Sequence, residues 1–482
     1  MLIKRFYHDG LAQASYLIGC QTTGEALVID ANRDAEQYLA VAASEGVRIT
    51  QVTETHIHAD FLSGSRELAD RTGARLLLSA EGGKDWQYGF GAASGATLLH
   101  DGDTFMLGRV RFDVMHTPGH TPEHLVFVVT DTPASSHPVG AFTGDFLFVG
   151  DVGRPDLLER AAHIEGTMRD AASQLFDSLH RFTSRFPDYL QVWPGHGSGS
   201  ACGKSLGAVP QSTLGYERLA NWALQVRDRE TFIEAVLEGQ PDPPPYFARM
   251  KRLNRAGPDV LGKLPSPARL AAETLPGLVA SGATILDLRR AETAAERFIE
   301  GTLNLPFNKS FVGWAGWLVD AERDLFLLTG SDDGRDVAAA AAELSMIGID
   351  RVPGWFGADA FVSWASSGRS FGVVEQVDAS RVAKSLQDDG VVVLDVRAQD
   401  EWDAGHLPGA RHAPLGRLRE TLDELPADTR IVMQCQGGGR SAIAASLARL
   451  AGHHDVSNLR GGLDAWRASQ LPVETSLDAV AS

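Results

Sequence analysis

An internal repeat constrains the second half of this chain more than any other feature. Ile285-Leu286-Asp287-Leu288-Arg289 returns 108 residues later as Val393-Leu394-Asp395-Val396-Arg397. Gly301 and Pro306 return at the same spacing as Gly409 and Pro414. Further on, Gly334-Arg335 and Ala358-Asp359-Ala360-Phe361 return after 105 residues as Gly439-Arg440 and Leu463-Asp464-Ala465-Trp466. Repeats of that length are domains rather than turns of a solenoid. Short apolar runs alternating with helical stretches predict α/β folding in each copy. The copies are expected over 262–370 and 375–475. At roughly 150 residues per domain, a chain of 482 residues leaves room for another domain before them.

That first domain is expected over 1–245. Residues 26–29, 76–78, 110–114, 125–129 and 190–193 read as short strands between helical stretches. Leu219, Trp222, Ala223 and Val226 share one helical face, which predicts a single long amphipathic helix. Pro241-Asp242-Pro243-Pro244-Pro245 then predicts a stiff, extended connector.

Within this domain, Thr55-His56-Ile57-His58-Ala59-Asp60-Phe61 follows a strand-like run. Three ligand-type side chains at alternating positions past a strand end can converge on one ion. His120, Asp145 and His196 each follow another β-type run. Imidazole and carboxylate are the usual ligands of zinc and of iron. One buried histidine is ordinarily a core residue, but a series of such elements in this context points to a metal centre.

Acidic residues (62) outnumber basic ones (44), for a net charge of −18. Such a surface repels phosphate backbones, so no nucleic-acid partner is expected. No apolar run approaches the roughly 18 residues of a membrane span, and the first residues lack a signal-peptide core. The three cysteines, Cys20, Cys202 and Cys435, are too few for a disulfide framework. These features predict a cytoplasmic protein without membrane attachment, expected to form homo-oligomers.

The histidine and aspartate motifs of residues 1–240 resemble the metallo-β-lactamase superfamily, which implies an αββα sandwich with metal ligands on loops along one edge. That superfamily's first motif usually ends in Asp-His, whose histidine helps to bind a second metal; Phe61 stands there and cannot ligate. The departure is similar to the persulfide dioxygenase branch, which holds one Fe(II) by two histidines and one aspartate. Matched motif to motif, the ligands are His56, His120 and Asp145, with Fe(II) as the cofactor and zinc as the alternative. A zinc site would also use His58, whereas the dioxygenase branch leaves it unbound. Asp60 and His196 are then supporting residues or hydrogen-bond partners of the substrate. Arg154 falls where the branch has an arginine contacting an anionic part of its thiol substrate. Cys202 lies in a glycine-rich loop just after His196, with Lys204 nearby to favour a thiolate. Two readings stand: an ordinary packed cysteine, or a thiol exposed by that loop and able to meet the substrate sulfur.

In the last copy, residues 431–433 read as a buried strand running into Cys435-Gln436-Gly437-Gly438-Gly439-Arg440, with a helix expected from Ser441 to about Ala451. A strand, a glycine-rich loop and a helix N-terminus place backbone N–H groups around the sulfur and favour a thiolate or a persulfide. Arg440 adds positive charge. With Glu401-Trp402, Gly405-His406 and Gly461-Gly462-Leu463-Asp464-Ala465-Trp466, this segment resembles the rhodanese family. The resemblance implies Cys435 as the nucleophile that carries sulfane sulfur. The preceding copy has Gly330 in place of the cysteine, followed by Asp332 and Asp333, and is expected to be structural.

The order of parts resembles the bacterial persulfide dioxygenase–sulfurtransferase fusions of sulfide detoxification. It implies oxidation of a small-molecule persulfide or polysulfide by O2 to sulfite, with transfer of sulfur from Cys435 to sulfite. Two alternatives remain. One is a zinc thioester hydrolase resembling glyoxalase II, fused to a sulfurtransferase. The other is a relay that passes persulfide to a protein partner.

Overall fold

The computed structural model describes residues 1–160, 166–386 and 390–475. It divides the chain into two compact units: Met1–Leu264 with Ala342–Gly348, and Pro265–Ala341 with Ile349–Ser482.

Among the described residues, the first unit holds twelve strands in two six-stranded sheets. One sheet is formed in order by β1 (Leu2–His8), β2 (Gln13–Cys20), β3 (Glu25–Ile29), β4 (Arg48–Thr53), β5 (Arg75–Ser79) and β6 (Thr97–Leu99). The other runs from β7 (Thr104–Leu107) through β8 (Val110–His116), β9 (Leu125–Asp131), β10 (Gly140–Gly144) and β11 (Gln191–Pro194) to β12 (Ser212–Thr213). Strand periodicity explains the layering, because successive side chains face opposite sides of a sheet. On β9, Leu125, Phe127 and Val129 enter the core between the sheets, while Val126 and Val128 face outward. On β3, Leu27 and Ile29 enter that core, while Ala26 and Val28 face the helix Ala35–Ser44. The helix Met168–Arg185 covers the outside of the second sheet through Ala172, Leu175, Leu179 and Phe182. This is the αββα sandwich.

Two expectations from the sequence need correction here. The single amphipathic helix around Leu219 is two short helices, Leu214–Ala220 and Trp222–Gln225. Asn221 separates them. Its side chain accepts from the Ala223 N–H and donates to the carbonyl of Asp151 at 3.0 Å, so this buried amide fixes the break. Leu219 is left 81% exposed. The first unit also continues past the proline connector, and the helix Tyr246–Ala256 belongs to it. Asn254 on that helix donates to the carbonyls of His58 and Phe61 and accepts from the Ser63 N–H, at 2.7–2.9 Å.

The second unit contains the sheets of the two copies. The strands β13 (Ala268–Arg269), β14 (Thr284–Asp287), β16 (Leu303–Asn304), β17 (Leu325–Leu328) and β18 (Gly354–Phe356) form a sheet in the order β13-β18-β17-β14-β16; β15 (Phe298–Ile299) and β19 (Phe371–Gly372) pair separately. The strands β20 (Glu375–Val377), β21 (Val391–Asp395), β22 (Arg411–His412), β23 (Arg430–Gln434) and β24 (Val456–Leu459) form a sheet in the order β20-β24-β23-β21-β22. The two orders are the same, and the pairings in both five-stranded sheets are parallel. Parallel strands covered on both faces read as continuous apolar runs, as residues 391–394 and 431–433 do. The repeated Asp-x-Arg makes the same fork twice. Arg289 Nε and Nη2 reach Asp287 at 2.9 and 2.6 Å; Arg397 Nε and Nη2 reach Asp395 at 2.9 and 2.6 Å. Among the described residues no helix is long and apolar enough to cross a membrane.

The Asp395–Arg397 pair is buried, and removing one partner strands the other charge. Arg397→Ala should therefore destabilise the second unit by about 3–5 kcal/mol. Arg335→Ala, which breaks the exposed pair with Asp333, should leave the unfolding midpoint unchanged. Urea unfolding followed by tryptophan fluorescence checks the contrast.

Candidate functional site

The ligand-type residues gather at the C-terminal ends of strands. β4 leads into His56 and His58, β8 into His120, β10 into Asp145 and β11 into His196. The parallel pair β10–β11 sets Asp145 beside His196. Gly144 makes the turn possible. Its φ is +48°, and a Cβ there would lie 2.4 Å from Thr55 Oγ1.

His56, His120 and Asp145 bring one ligand atom each into a common cluster, all within 4.8 Å of one another. The Nε2 atoms of His56 and His120 lie 3.9 and 3.6 Å from Asp145 Oδ2. A second cluster of the same kind joins Asp60, His196 and Cys202. His196 links the two, with Nε2 3.2 Å from Asp60 Oδ2 and 3.4 Å from Asp145 Oδ2.

The hydrogen bonds behind the rings fix which nitrogen faces the cluster. His120 Nδ1 is 3.0 Å from the Arg154 carbonyl, which can only accept, so Nδ1 carries the proton and Nε2 is bare. Thr55 Oγ1 donates to Asp30 Oδ2 at 2.9 Å and therefore accepts from His56 Nδ1 at 3.0 Å. His56 Nε2 is bare as well. Burial favours these neutral rings: it pulls His120 down to about 3 and His56 well below the usual histidine range, with neighbouring imidazoles adding to the effect on His56. His124 Nε2 accepts the Asp145 backbone N–H at 3.2 Å and holds the aspartate in place.

Neither carboxylate oxygen of Asp145 has a hydrogen-bond partner among the described residues. Burial raises its carboxyl above the usual range, and His196 works against that shift. A buried carboxylate without donors, facing two bare imidazole nitrogens, is the donor set a divalent cation requires. The residues present fit a metal held by His56, His120 and Asp145.

His58 turns elsewhere. Its Nε2 lies 3.1 Å from Asp30 Oδ1. Burial disfavours its charge, but Asp30, Glu54 and Asp60 outweigh that and raise it to about 9. Phe61 is fully buried, and its ring packs 4.4 Å from the His58 ring. Asp30 carries no motif signal in the sequence. It sits just past β3 with φ +56°, in the left-handed region where aspartate is tolerated. Asn254 and His124 were missed too; a second histidine four residues after His120 was the available clue.

Arg154 is engaged in an ion pair and Cys202 is packed, not exposed. The Arg154 guanidinium is buried, forks onto Asp156 at 2.8 and 2.7 Å and donates to the Ala201 carbonyl at 3.0 Å. It holds the loop whose carbonyl orients His120. Cys202 is 1% exposed and packs against Ala59, Phe148, Leu157 and Phe247. Burial together with Asp60 and Asp145 pushes its thiol well above the usual range. Lys204 cannot favour the thiolate, because its Nζ donates to the Glu238 carbonyl at 3.0 Å and lies over the Trp222 ring. Cys20 is core between the sheets.

In the second unit, the loop after β23 closes round Cys435. Its Sγ accepts from the Gly438 N–H at 3.2 Å, the Ser441 N–H at 3.4 Å and the Ser441 hydroxyl at 3.3 Å. Gly439 and Arg440 open the helix Gly439–Leu450, which starts two residues earlier than expected. Gln436 donates to Asp464, and Gly437 completes the loop. Gly462 lets the next turn approach, since a Cβ there would lie 2.1 Å from the Cys435 carbonyl. Arg440 is forked by Glu401 at 2.5 and 2.7 Å, so its charge is shared with a carboxylate. In the other copy, Asp332 is held by Arg269 at 2.6 Å and Asp333 by Arg335 at 2.7 Å.

Asp145→Ala should remove the bound metal, whereas His58→Gln should keep it at near-native stoichiometry. Elemental analysis of the purified variants measures both. Full occupancy in Asp145→Ala would contradict the donor set.

Comparison with known proteins finds two families along the chain. The metallo-beta-lactamase superfamily matches residues 8–196 and the rhodanese-like domain matches residues 378–469. The crystal structure of a metallo-beta-lactamase from Staphylococcus aureus subsp. aureus COL is 42% identical, with a TM-score of 0.68 over 74% of this chain and 99% of that one. A hydroxyacylglutathione hydrolase of Polaromonas sp. is 32% identical over 41% of this chain and 66% of its own length. The human mitochondrial persulfide dioxygenase ETHE1 is 28% identical over 41% of this chain and 68% of its own length. The chain spans 54% to 68% of the length of such curated relatives. This chain therefore belongs to the metallo-β-lactamase superfamily and joins a domain of that fold to a rhodanese-like domain.

Proposed function

We propose that the chain oxidises a low-molecular-weight persulfide to sulfite in its first unit and transfers sulfane sulfur through Cys435 in its second. The balanced oxidation is RSSH + O2 + H2O → RSH + SO3²⁻ + 2H⁺. The observation that carries this reading is the three-donor set His56, His120 and Asp145, with His58 turned to Asp30 and Phe61 filling the place of a further ligand. Two imidazoles and one carboxylate are a donor set that would suit ferrous iron and would leave it able to take further ligands. Ferrous iron, when bound there, supplies the redox chemistry that joins O2 to sulfur.

The chain's own residues prepare that site. Thr55 and the Arg154 carbonyl hold the two ring tautomers, so both Nε2 lone pairs point inward. His124 fixes the Asp145 backbone. Asp60 and His196 present a carboxylate and an imidazole beside the donors, suited to holding or moving a proton on the substrate sulfur. Phe61, Phe148 and Phe247 are buried and keep this part of the domain apolar.

At Cys435, the thiolate attacks the outer sulfur of a donor persulfide: RSSH + Cys435–S⁻ → RS⁻ + Cys435–SSH. The ionised persulfide then passes its outer sulfur to sulfite: Cys435–SS⁻ + SO3²⁻ → Cys435–S⁻ + S2O3²⁻. The Gly438 and Ser441 donors stabilise the negative sulfur.

The similarity to a hydroxyacylglutathione hydrolase favours a second reading, a zinc-dependent thioester hydrolase. Phe61 counts against it, because a two-metal hydrolytic site needs the ligand it replaces.

Cys435→Ser should retain oxygen consumption with a small persulfide within about twofold, while thiosulfate formation disappears and sulfite accumulates. An oxygen electrode with ion chromatography reads both. Equal loss of the two activities would contradict separate sites.

A further inference from the structure

The cysteine-free copy carries a short segment that belongs to the first unit. The helix Arg335–Met346 lies in that copy's sequence, yet its end and the turn after it, Ala342–Gly348, are part of the first unit. Leu344, Ser345, Met346, Ile347 and Gly348 are all buried. The Met346 carbonyl accepts the Leu62 N–H at 2.7 Å. The Ile347 and Gly348 carbonyls accept from Arg249 Nη1 and Nη2 at 3.3 and 3.0 Å. Gly348 has φ +70°, and a Cβ there would lie 2.8 Å from Arg249 Nη1 and 3.3 Å from Leu62 Cδ2. Glycine suits this turn, because a side chain would displace the guanidinium.

These contacts converge on the loop that carries Asp60 and Phe61. Leu62 is buried, so its N–H would be a costly orphan without the Met346 carbonyl. Arg249 shares the helix Tyr246–Ala256 with Asn254, which bonds the carbonyls of His58 and Phe61 and the Ser63 N–H. Through Asp60 the hold reaches the metal ligands. Asp60 Oδ2 lies 3.2 Å from His196 Nε2, which lies 3.4 Å from Asp145 Oδ2.

We propose that Met346–Gly348 and Arg249 form a brace that positions Asp60 and Phe61 beside the metal ligands, so that the cysteine-free copy serves the metal centre of the first unit. Met346, Gly348 and Arg249 are positioning residues, and they act through the backbone of Leu62. A loop whose end is fixed in this way keeps Asp60 against His196 and keeps Phe61 packed on the His58 ring. Contacts that support a metal's ligands from behind typically change its affinity by roughly 10–100-fold. The copy that lacks a reacting sulfur thereby has a task at the other chemistry of the chain.

The inference rests on the metal centre and not on the oxidation reading, and both of its readouts are made without substrate. The full chain is loaded anaerobically with Fe(II), and release of the metal to excess chelator is timed. Amide hydrogen exchange, followed by mass spectrometry, reports on residues 58–63, with β9 (Leu125–Asp131) and β23 (Arg430–Gln434) as internal references. Arg249→Ala and Gly348→Ala should each speed metal release roughly tenfold. Exchange across 58–63 should quicken by a similar factor, with both reference strands unchanged within twofold. Arg249→Lys, which keeps a cation that can reach one carbonyl, should restore most of the loss. Unchanged release and unchanged loop exchange in both alanine variants would overturn the brace. Equal quickening at β9 would show general loosening of the first unit and overturn it as well.

Discussion

The carboxylate of Asp145, buried and without a hydrogen-bond donor among the described residues, sets the requirement that the first domain is built to meet. A charge in that position needs a compensating cation or a proton. The surroundings favour the cation. Two imidazoles face it through bare nitrogens, and each is held by a bond on its far side. The sandwich makes this possible because β4, β8, β10 and β11 all end at one edge. The hydrophobic layers between and outside the sheets fix the strand ends, and the loops inherit that precision. Gly144 and Asn254 then make the local adjustments, one by admitting a left-handed turn and the other by tying down the His58–Ser63 loop.

The second unit shows how one topology supports two different roles. Both copies keep the strand order and the Asp-x-Arg fork, which braces the ends of β14 and β21 beside the central strands β17 and β23. They part at the loops after β17 and β23. In one copy, backbone and hydroxyl donors surround a sulfur; in the other, two aspartates are neutralised by arginines. The fork belongs to the scaffold and the loop to the chemistry, so the loop could diverge while the fold persisted.

The sequence was informative where chemistry and periodicity coincide. The repeat offsets of 108 and 105 residues correspond to two sheets of the same order. The strand-then-histidine pattern offered His56, His58, Asp60, His120, Asp145 and His196 as candidates, and the resemblance narrowed them to His56, His120 and Asp145, whose ligand atoms the fold gathers within 4.8 Å; the glycine-rich loop singled out Cys435. What escaped was long-range pairing. Asp30 lies 28 residues from the His58 that it binds, and Asn254 lies 196 residues from the His58 carbonyl that it caps. No local pattern announces such partners. Arg154 and Cys202 illustrate a second limit. The resemblance suggested a substrate clamp at Arg154 and the glycine-rich loop offered an exposed thiol at Cys202, but Asp156 and the Ala201 carbonyl engage the arginine, and four apolar neighbours bury the thiol. The long helix around Leu219 failed for a similar reason, because a buried asparagine broke a pattern that read as continuous.

The most direct test of the central claim compares the full chain reconstituted anaerobically with one equivalent of Fe(II) against the same chain reconstituted with Zn(II). Oxygen uptake is followed after addition of glutathione persulfide. The account predicts rapid uptake with stoichiometric sulfite or thiosulfate in the iron form and none in the zinc form. Absence of uptake from the iron form, together with thioester hydrolysis by the zinc form, would contradict it.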